Sequence, residues 1–309
     1  MPDTATAIVP ATSANLGCAF DCAALALNLY LHVRATRNPH RLEIVYQGPR
    51  PESIPSGDPN LVVRGIRAVA EWGGTAVPTA RIEIDNEIPV GSGLGSSAAA
   101  IVAGILVGAR ICGVSPSADT IIRLAAGIEG HPDNVAAAYY GGLVVCAQRE
   151  NSGDVLTLKA EVPQDLEFIA VIPAIGMPTA QSRAVLPSAY SRAAVVHNLQ
   201  RTALFVASVF SGRFDLQPEF FRDRLHQPYR CSLIPGLEEC LKLSHPDLIG
   251  VLLSGAGSAV LAIARKNAAE VAALLVAEFN HHGVAAQPLF LKAENRGARD
   301  SSAASSAGS

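Results

Sequence analysis

The chain has 309 residues, of which 49% are hydrophobic and 17% charged, with a net charge of −3 and a pI near 6.2. A chain of this length folds into one large or two medium domains with a substantial core. With this charge balance the chain has no excess of positive charge to attract nucleic acid or an anionic membrane surface, so a small molecule is the expected partner.

Nothing near the N-terminus has the charge and hydropathy pattern of a signal peptide, and the longest apolar run, residues 98–109, is too short to span a bilayer. The six cysteines are scattered without a C-x-x-C pair. No second Cys or His pair completes a zinc site, so we expect reduced, mostly buried thiols. These features predict a cytoplasmic protein.

Hydrophobic periodicity predicts the regular elements in chain order. Strands are predicted at 28–36, 41–46, 80–85, 142–148, 155–162, 167–172, 248–254, 259–264 and 286–291. Helices are predicted at 60–72, 97–112, 118–129, 191–210, 237–243 and 268–279. Strands and helices are grouped rather than strictly alternating, which favours an α+β fold over a doubly wound parallel sheet. We expect domains at 1–164 and 165–299, and a disordered Ser/Ala/Gly-rich tail at 300–309.

The most informative stretch is a glycine-rich turn between a predicted strand and a predicted helix. Its residues are Pro89, Val90, Gly91, Ser92, Gly93, Leu94, Gly95, Ser96, Ser97, Ala98 and Ala99. The first amides and the dipole of the following helix can bind phosphate without a basic side chain. The spacing excludes both a P-loop, which needs a lysine, and a G-x-G-x-x-G dinucleotide loop. The alternative is a packing turn with an ordinary serine cap.

Two further segments carry polar side chains in patterns that suggest a site. Residues 10–21 are predicted to form a tight connection in which Asn15 and Asp21 contact a polar substrate, or which is simply a capped turn. Residues 129–134, E-G-H-P-D-N, close one helix and can open another. Their carboxylate, imidazole and amide groups could orient a hydroxyl or hold a metal, or could be a helix cap beside a solvated histidine.

The second half of the chain contributes one glycine segment and two arginines. Residues 254–258, S-G-A-G-S, follow a predicted strand and could form a hairpin or bring a second stretch of backbone to a nucleotide. Arg183 and Arg230 have few acidic neighbours in sequence. They could be surface charges or a bidentate clamp for a carboxylate.

Three of these segments together resemble the GHMP family of small-molecule kinases: P-A-T-S-A-N-L-G at 10–17, the glycine loop, and S-G-A-G at 254–257. E-G-H-P-D-N at 129–134, H-Q-P-Y-R at 226–230 and L-I-P-G at 233–236 are similar to the branch that phosphorylates L-homoserine. The resemblance extends from residue 8 to residue 299. It implies the GHMP kinase fold, with an N-terminal ribosomal-protein-S5-domain-2-like domain that binds ATP and a C-terminal ferredoxin-like domain.

The resemblance also implies an activity, the transfer of the γ-phosphoryl group of ATP to the hydroxyl of L-homoserine in threonine synthesis. It implies that the catalytic residues are Asn15, Asn134 and Ser97, and that ATP contacts the glycine loop and Asn60. The implied substrate residues are Asn15, Asp21, His131, Asp133, Asn134, Thr179, Arg183 and Arg230. Mg²⁺ would be held by Ser97 and Glu129.

The chain departs from the family pattern at three places. It has C-A-F-D at 18–21 where relatives have P-G-F-D, Ser258 where a proline is common, and Gly127 where many relatives have a Mg²⁺-binding glutamate. The alternatives are another GHMP small-molecule kinase or, because of Gly127, a nucleotide-binding relative without activity. A homodimer is left open.

Overall fold

A computed structural model describes residues 2–300 of the chain. Its strands are β1 (Thr4–Ala14), β2 (Ala23–Arg37), β3 (Glu43–Gln47), β4 (Ala80–Asn86), β5 (Leu143–Gln148), β6 (Val155–Ala160), β7 (Glu167–Pro173), β8 (Leu248–Leu253), β9 (Val260–Ala264) and β10 (Ala286–Leu291). Its α-helices are α1 (Leu61–Trp72), α2 (Ser96–Cys112), α3 (Ala118–Glu129), α4 (Asp133–Tyr140), α5 (Thr179–Ala184), α6 (Arg192–Phe210), α7 (Gln227–Arg230), α8 (Leu237–Lys242) and α9 (Ala268–His281). Short 3₁₀ turns lie at Pro51–Ser53, Pro218–Phe221 and Cys231–Leu233.

The first sheet contains β1 to β6 and is built around the long strand β2. β2 pairs antiparallel with β1 along its length, with β4 through residues 31–37 and with β5 through residues 23–25. β3 joins β4 in parallel, and β6 joins β5 antiparallel. Helices α2 and α4 pack on β1 and β2, while α1 and α3 pack on α2. Because α2 lies between the sheet and other helices, it is apolar nearly all round. This packing holds the N-terminus of α2 beside β1.

The second sheet has the order β10-β7-β9-β8 and is antiparallel throughout. Helices α8 and α9 pack on this sheet, and Leu237, Leu275 and Phe279 join its core. The first sheet ends at Ala160 and the second begins at Glu167. On that ground we propose the two domains, divided between residues 164 and 165. Past β10 the chain returns to the first sheet, where Arg299 and Ile8 exchange backbone hydrogen bonds.

Most elements predicted from periodicity are confirmed, and 118–129 and 286–291 have the predicted bounds. The prediction of a tight connection at 10–21 is wrong for its first five residues, which belong to β1. The strand is buried without interruption from Val9 to Ala14, so the alternation that marks a half-buried strand is missing there. Helices α4, α5 and α7 were not among the predicted elements, although residue 133 was expected to be able to open a helix.

The chemical state of the cysteines agrees with the sequence. All six lie within the described residues and are free thiols, and four of them are buried. Burial raises the pKa of Cys18 to about 11, so its thiolate is scarce at neutral pH.

The disordered tail predicted at residues 300–309 begins at the last residue that the structure describes. Asp300 accepts a hydrogen bond from Thr6 Oγ1 and pairs with Arg110. Residues 301–309 lie outside the described residues, so a disordered tail there stays a prediction. Within residues 2–300, no helix has both the length and the apolar character needed to cross a membrane.

Candidate active site

A pocket of about 300 Å³ lies where the glycine loop, the turn after β1 and the β8–β9 connection meet. It is lined by most of the residues predicted for the site, namely Asn15, Asp21, Asn60, Pro89, Val90, Gly91, Gly93, Leu94, Gly95, Ser96, Ser97, Glu129, His131, Asp133, Asn134, Thr179, Arg183 and Arg230. Three predicted loop residues do not line it. Ser92 donates its hydroxyl to Pro89 O, and Ala98 and Ala99 are buried in the core.

The glycine loop leaves the N-terminus of α2 without a side-chain cap. Gly95 is the N-cap residue with φ +72°, so neither serine acts as the cap. A Cβ on Gly95 would lie 1.9 Å from Thr12 Oγ1, and one on Gly93 would lie 2.2 Å from Ser254 O. Glycine is therefore required for the loop to pack between β1 and the β8–β9 connection. The result is a helix N-terminus that faces the pocket and can bind an anion.

Ser97 and Glu129 form an oxygen pair beside this helix N-terminus. Ser97 Oγ donates a 2.5 Å hydrogen bond to Glu129 Oε2, and both residues line the pocket. Gly127 is exposed, a Cβ there would meet open space, and the residue does not line the pocket. Mg²⁺ is usually bound by one or two protein oxygens together with phosphate oxygens and water. Ser97 and Glu129 fit that donor set.

The two predicted amides differ in what they can offer a ligand. Asn15 Nδ2 donates to Gly255 O at 2.8 Å, and Asn15 Oδ1 accepts from Asp21 N at 3.0 Å. Asn15 therefore ties the turn after β1 to the β8–β9 connection. Asn134 Oδ1 accepts from Thr12 Oγ1 at 2.7 Å, and Asn134 Nδ2 makes one long contact of 3.5 Å with Asp133 Oδ1. The second hydrogen of Nδ2 is therefore available for a ligand.

His131 and Asp133 form a hydrogen-bonded pair at the start of α4. His131 Nδ1 lies 2.8 Å from Asp133 Oδ1, which also accepts from Asn134 N at 2.7 Å. Burial lowers the pKa of His131, but the hydrogen bond and charge of Asp133 outweigh burial, so the net pKa is raised. Asp133 Oδ1 is thus engaged by both groups, and Asn134 Nδ2 lies 3.5 Å from the same oxygen.

Asp21 and Arg183 form an ion pair that lines the pocket, although they are far apart in sequence. Arg183 Nη2 and Nη1 donate to the two carboxylate oxygens of Asp21 at 2.7 and 3.1 Å. Burial acts to lower the pKa of Arg183, but the hydrogen bond to Asp21 and the charge of Asp21 outweigh burial, so the net pKa is raised. This bidentate pair places a positive and a negative charge side by side at the pocket wall.

Arg230 is a buried cation without an acidic partner. It is only 1% exposed, and no ion pair within residues 2–300 includes it. Burial, followed by the charge of Arg183, lowers its pKa to about 10. Arg230 Nε donates to Ser182 O at 3.1 Å, and Nη1 donates to Gly255 O at 3.1 Å. A buried guanidinium is stabilised when an anion completes its surroundings, so the pocket favours a carboxylate here.

Part of the pocket lining is apolar. Asn60 lines it, but its side chain caps α1 by accepting from Val62 N and donates to Pro55 O. Both polar atoms of the Asn60 side chain therefore already have a hydrogen-bond partner within the protein. Pro55, Pro59 and Leu61 line this part of the pocket. These apolar side chains suit a flat aromatic ring that is held by packing.

Sequence reasoning missed several residues that hold the site in place. Thr12 orients Asn134, and Asn86 donates to Ile88 O and to Tyr46 Oη beside the loop. His226 contacts Arg230 from behind the pocket. Thr12 and His226 both stand inside segments that carried the family resemblance, but nothing local in the sequence shows which partner each contacts.

The similarity of the chain to known proteins shows the family to which it belongs. Residues 60–142 match the model of the GHMP kinases N terminal domain. The chain is 39% identical to the homoserine kinase of Solibacter usitatus over 94% of each protein, and 38% identical to that of Desulfitobacterium hafniense over 94% of this chain and 97% of the relative. The crystal structure of homoserine kinase from Cytophaga hutchinsonii superposes with a TM-score of 0.85 at 25% identity, covering 97% of this chain and 98% of that one. The chain therefore belongs to the homoserine kinase family of the GHMP kinases.

Proposed function

We propose that the chain transfers the γ-phosphoryl group of ATP to the side-chain hydroxyl of L-homoserine, giving O-phospho-L-homoserine for threonine synthesis. The observation that carries this proposal is one pocket with chemically different parts of its lining. An uncapped helix N-terminus with Ser97 and Glu129 lines it, and so do the charged side chains of Asp21, Arg183 and Arg230. The names of the relatives support the same activity. A cytoplasmic location and a homodimer stay predictions.

The nucleotide end is assigned by the chemistry of its lining. The triphosphate binds along the glycine loop at the α2 N-terminus, and the adenine packs against the apolar walls near Asn60. Ser97 and Glu129 would hold Mg²⁺ on the phosphates, where the ion would neutralise charge during transfer. Phosphoryl transfer depends mainly on positioning and charge stabilisation, so the absence of a P-loop lysine from residues 89–99 is compatible with kinase activity.

The amino-acid end suits a zwitterion. The carboxylate of L-homoserine would lie against Arg230 and Arg183, and its ammonium group against Asp21. The Asp21–Arg183 pair presents charges of opposite sign next to each other, so a substrate with adjacent opposite charges is stabilised at both. His131 and Thr179 line the same pocket. Mevalonate and sugars lack an ammonium group, and sugars lack the carboxylate as well.

The reacting hydroxyl would lie beside Asn134. Because Asn134 Oδ1 is occupied by Thr12, the Asn134 amide donates to the hydroxyl oxygen and orients one of its lone pairs toward the γ-phosphorus. Asp133 is buried, and its Oδ1 already accepts from His131 and from Asn134 N. We propose that the hydroxyl proton passes to a phosphate oxygen of the nucleotide.

A coupled assay of ADP release across L-homoserine, mevalonate, shikimate and galactose tests the proposal. We expect turnover with L-homoserine and little with the other alcohols. Activity confined to another alcohol would replace the substrate assignment with another GHMP kinase activity. ATP binding without turnover of any alcohol in Mg²⁺ would instead show a relative without activity.

A further inference from the structure

A buried histidine lies behind the substrate end of the pocket. His226 is 0% exposed and does not line the pocket. Its Nδ1 lies 3.0 Å from Arg230 Nη1, and its Nε2 lies 2.7 Å from Gly17 O. A guanidinium can only donate hydrogen bonds, so Nδ1 must be the acceptor. The proton therefore sits on Nε2, which donates to Gly17 O, and the imidazole is neutral.

The surrounding groups keep this arrangement in place. Asp223 Oδ2 accepts from the backbone N–H groups of His226 and Gln227 at 2.8 and 2.6 Å, which fixes the start of α7. The charged groups that face the imidazole are Asp223 and Arg230, with Asp21 farther away. Burial, which disfavours the imidazolium, lowers the pKa of His226 below its ordinary value.

The same imidazole is packed against the turn that carries Asp21. The rings of Phe20 and His226 are stacked with centroids 5.1 Å apart and an interplanar angle of 21°. The guanidinium carbon of Arg230 lies 5.5 Å from the centre of the Phe20 ring. Phe20 therefore contacts both members of the His226–Arg230 pair, and the imidazole cannot turn without disturbing the Asp21 turn.

These contacts define which part of Arg230 is free. Ser182 O accepts from Nε, and His226 Nδ1 and Gly255 O accept from Nη1. Nη2 has no hydrogen-bond partner within residues 2–300, and Arg230 lines the pocket. We infer that His226 is a positioning residue, whose acceptor nitrogen turns the guanidinium of Arg230 so that Nη2 meets the carboxylate of the substrate. This inference rests on the proposed function.

Two substitutions separate the two hydrogen bonds of the imidazole. In His226→Asn the side-chain oxygen can replace Nδ1 as the acceptor for Arg230, whereas in His226→Gln the longer amide can replace Nε2 as the donor to Gly17 O. We expect the KM for L-homoserine to stay within about threefold of wild type in His226→Asn. It should rise about tenfold in His226→Gln, the effect of losing one hydrogen bond to a charged group, with the KM for ATP unchanged.

The controls distinguish positioning from a structural role. His245→Gln changes another largely buried histidine of the C-terminal half, outside the pocket, and should leave both KM values unchanged. In an Arg230→Met background, the difference between the Asn and Gln variants should disappear. Thermal unfolding of each variant reports whether it is folded. A ¹⁵N NMR measurement on histidine-labelled wild type needs no variant and should show His226 as the neutral Nε2–H form at pH 7.

Three results would overturn the inference. These are equal KM values for L-homoserine in the two variants, an equal rise of both KM values in His226→Gln, or an Nδ1–H or doubly protonated imidazole in the NMR spectrum. Failure of the proposed function would look different, because wild type itself would then not phosphorylate L-homoserine while the tautomer would be unchanged.

Discussion

Ser97 Oγ lies 2.5 Å from Oε2 of Glu129, which joins the first turn of α2 to the last residue of α3. If this pair holds Mg²⁺, Glu129→Gln should lower kcat by about 10- to 100-fold and raise the Mg²⁺ concentration needed for half-maximal rate. Steady-state kinetics over a Mg²⁺ titration measures both quantities.

The matched control adds a carboxylate two residues away. Gly127→Glu places a side chain in open space, outside the pocket, and should leave kcat and the Mg²⁺ dependence unchanged. If Gly127→Glu raised activity while Glu129→Gln had no effect, the metal carboxylate would have to be reassigned.

Arg230→Lys tests recognition of the substrate carboxylate. A lysine keeps the positive charge but cannot make the three directed contacts to Ser182, His226 and Gly255 while also facing the ligand. We expect the KM for L-homoserine to rise by at least about tenfold, with the KM for ATP nearly unchanged. Initial rates with each substrate varied in turn provide the test, and parallel increases in both KM values would refute the assignment.

Gly93→Ala tests the close approach of the glycine loop to the β8–β9 connection. The new methyl group would lie 2.2 Å from the backbone oxygen of Ser254, in a residue with φ +85°. We expect a loss of about 3 kcal/mol in the free energy of unfolding, from overpacking and an unfavourable φ together. Gly74→Ala has φ +63° with nothing within 4 Å, so it isolates the φ effect at about 1 kcal/mol. Equal losses in urea unfolding would show that the contact does not matter.

The His131–Asp133 pair predicts a pH dependence of stability. The folded pKa of His131 is raised above its ordinary value of 6.5. The pair therefore stabilises the protein fully below about pH 6.5, and this contribution is lost as the pH rises through the folded pKa. The difference in unfolding free energy between wild type and His131→Gln should shrink between pH 5.5 and 8.5. A difference in unfolding free energy that grows as the pH rises would contradict this prediction.

Local sequence patterns predicted the parts of the site that depend on neighbouring residues. The glycine loop, α2 and the helix that ends at Glu129 could be read from spacing, because turns and helices are specified over short stretches. The second half of β1 could not, because residues 9–14 are buried without interruption and show no alternation. The contact between Asp21 and Arg183 joins residues 162 positions apart, and that between Thr12 and Asn134 spans 122. Only tertiary packing brings such pairs together, so the orientation of Asn134 and the opposed charges at the pocket wall came from the structure.

The most direct test of the account is to identify the product. Wild-type protein would be incubated with Mg²⁺, L-homoserine and ATP, and the products would be followed by ³¹P NMR and mass spectrometry. We predict that O-phospho-L-homoserine accumulates in a 1:1 ratio with ADP. Release of ADP with inorganic phosphate and no phosphorylated homoserine would contradict the account.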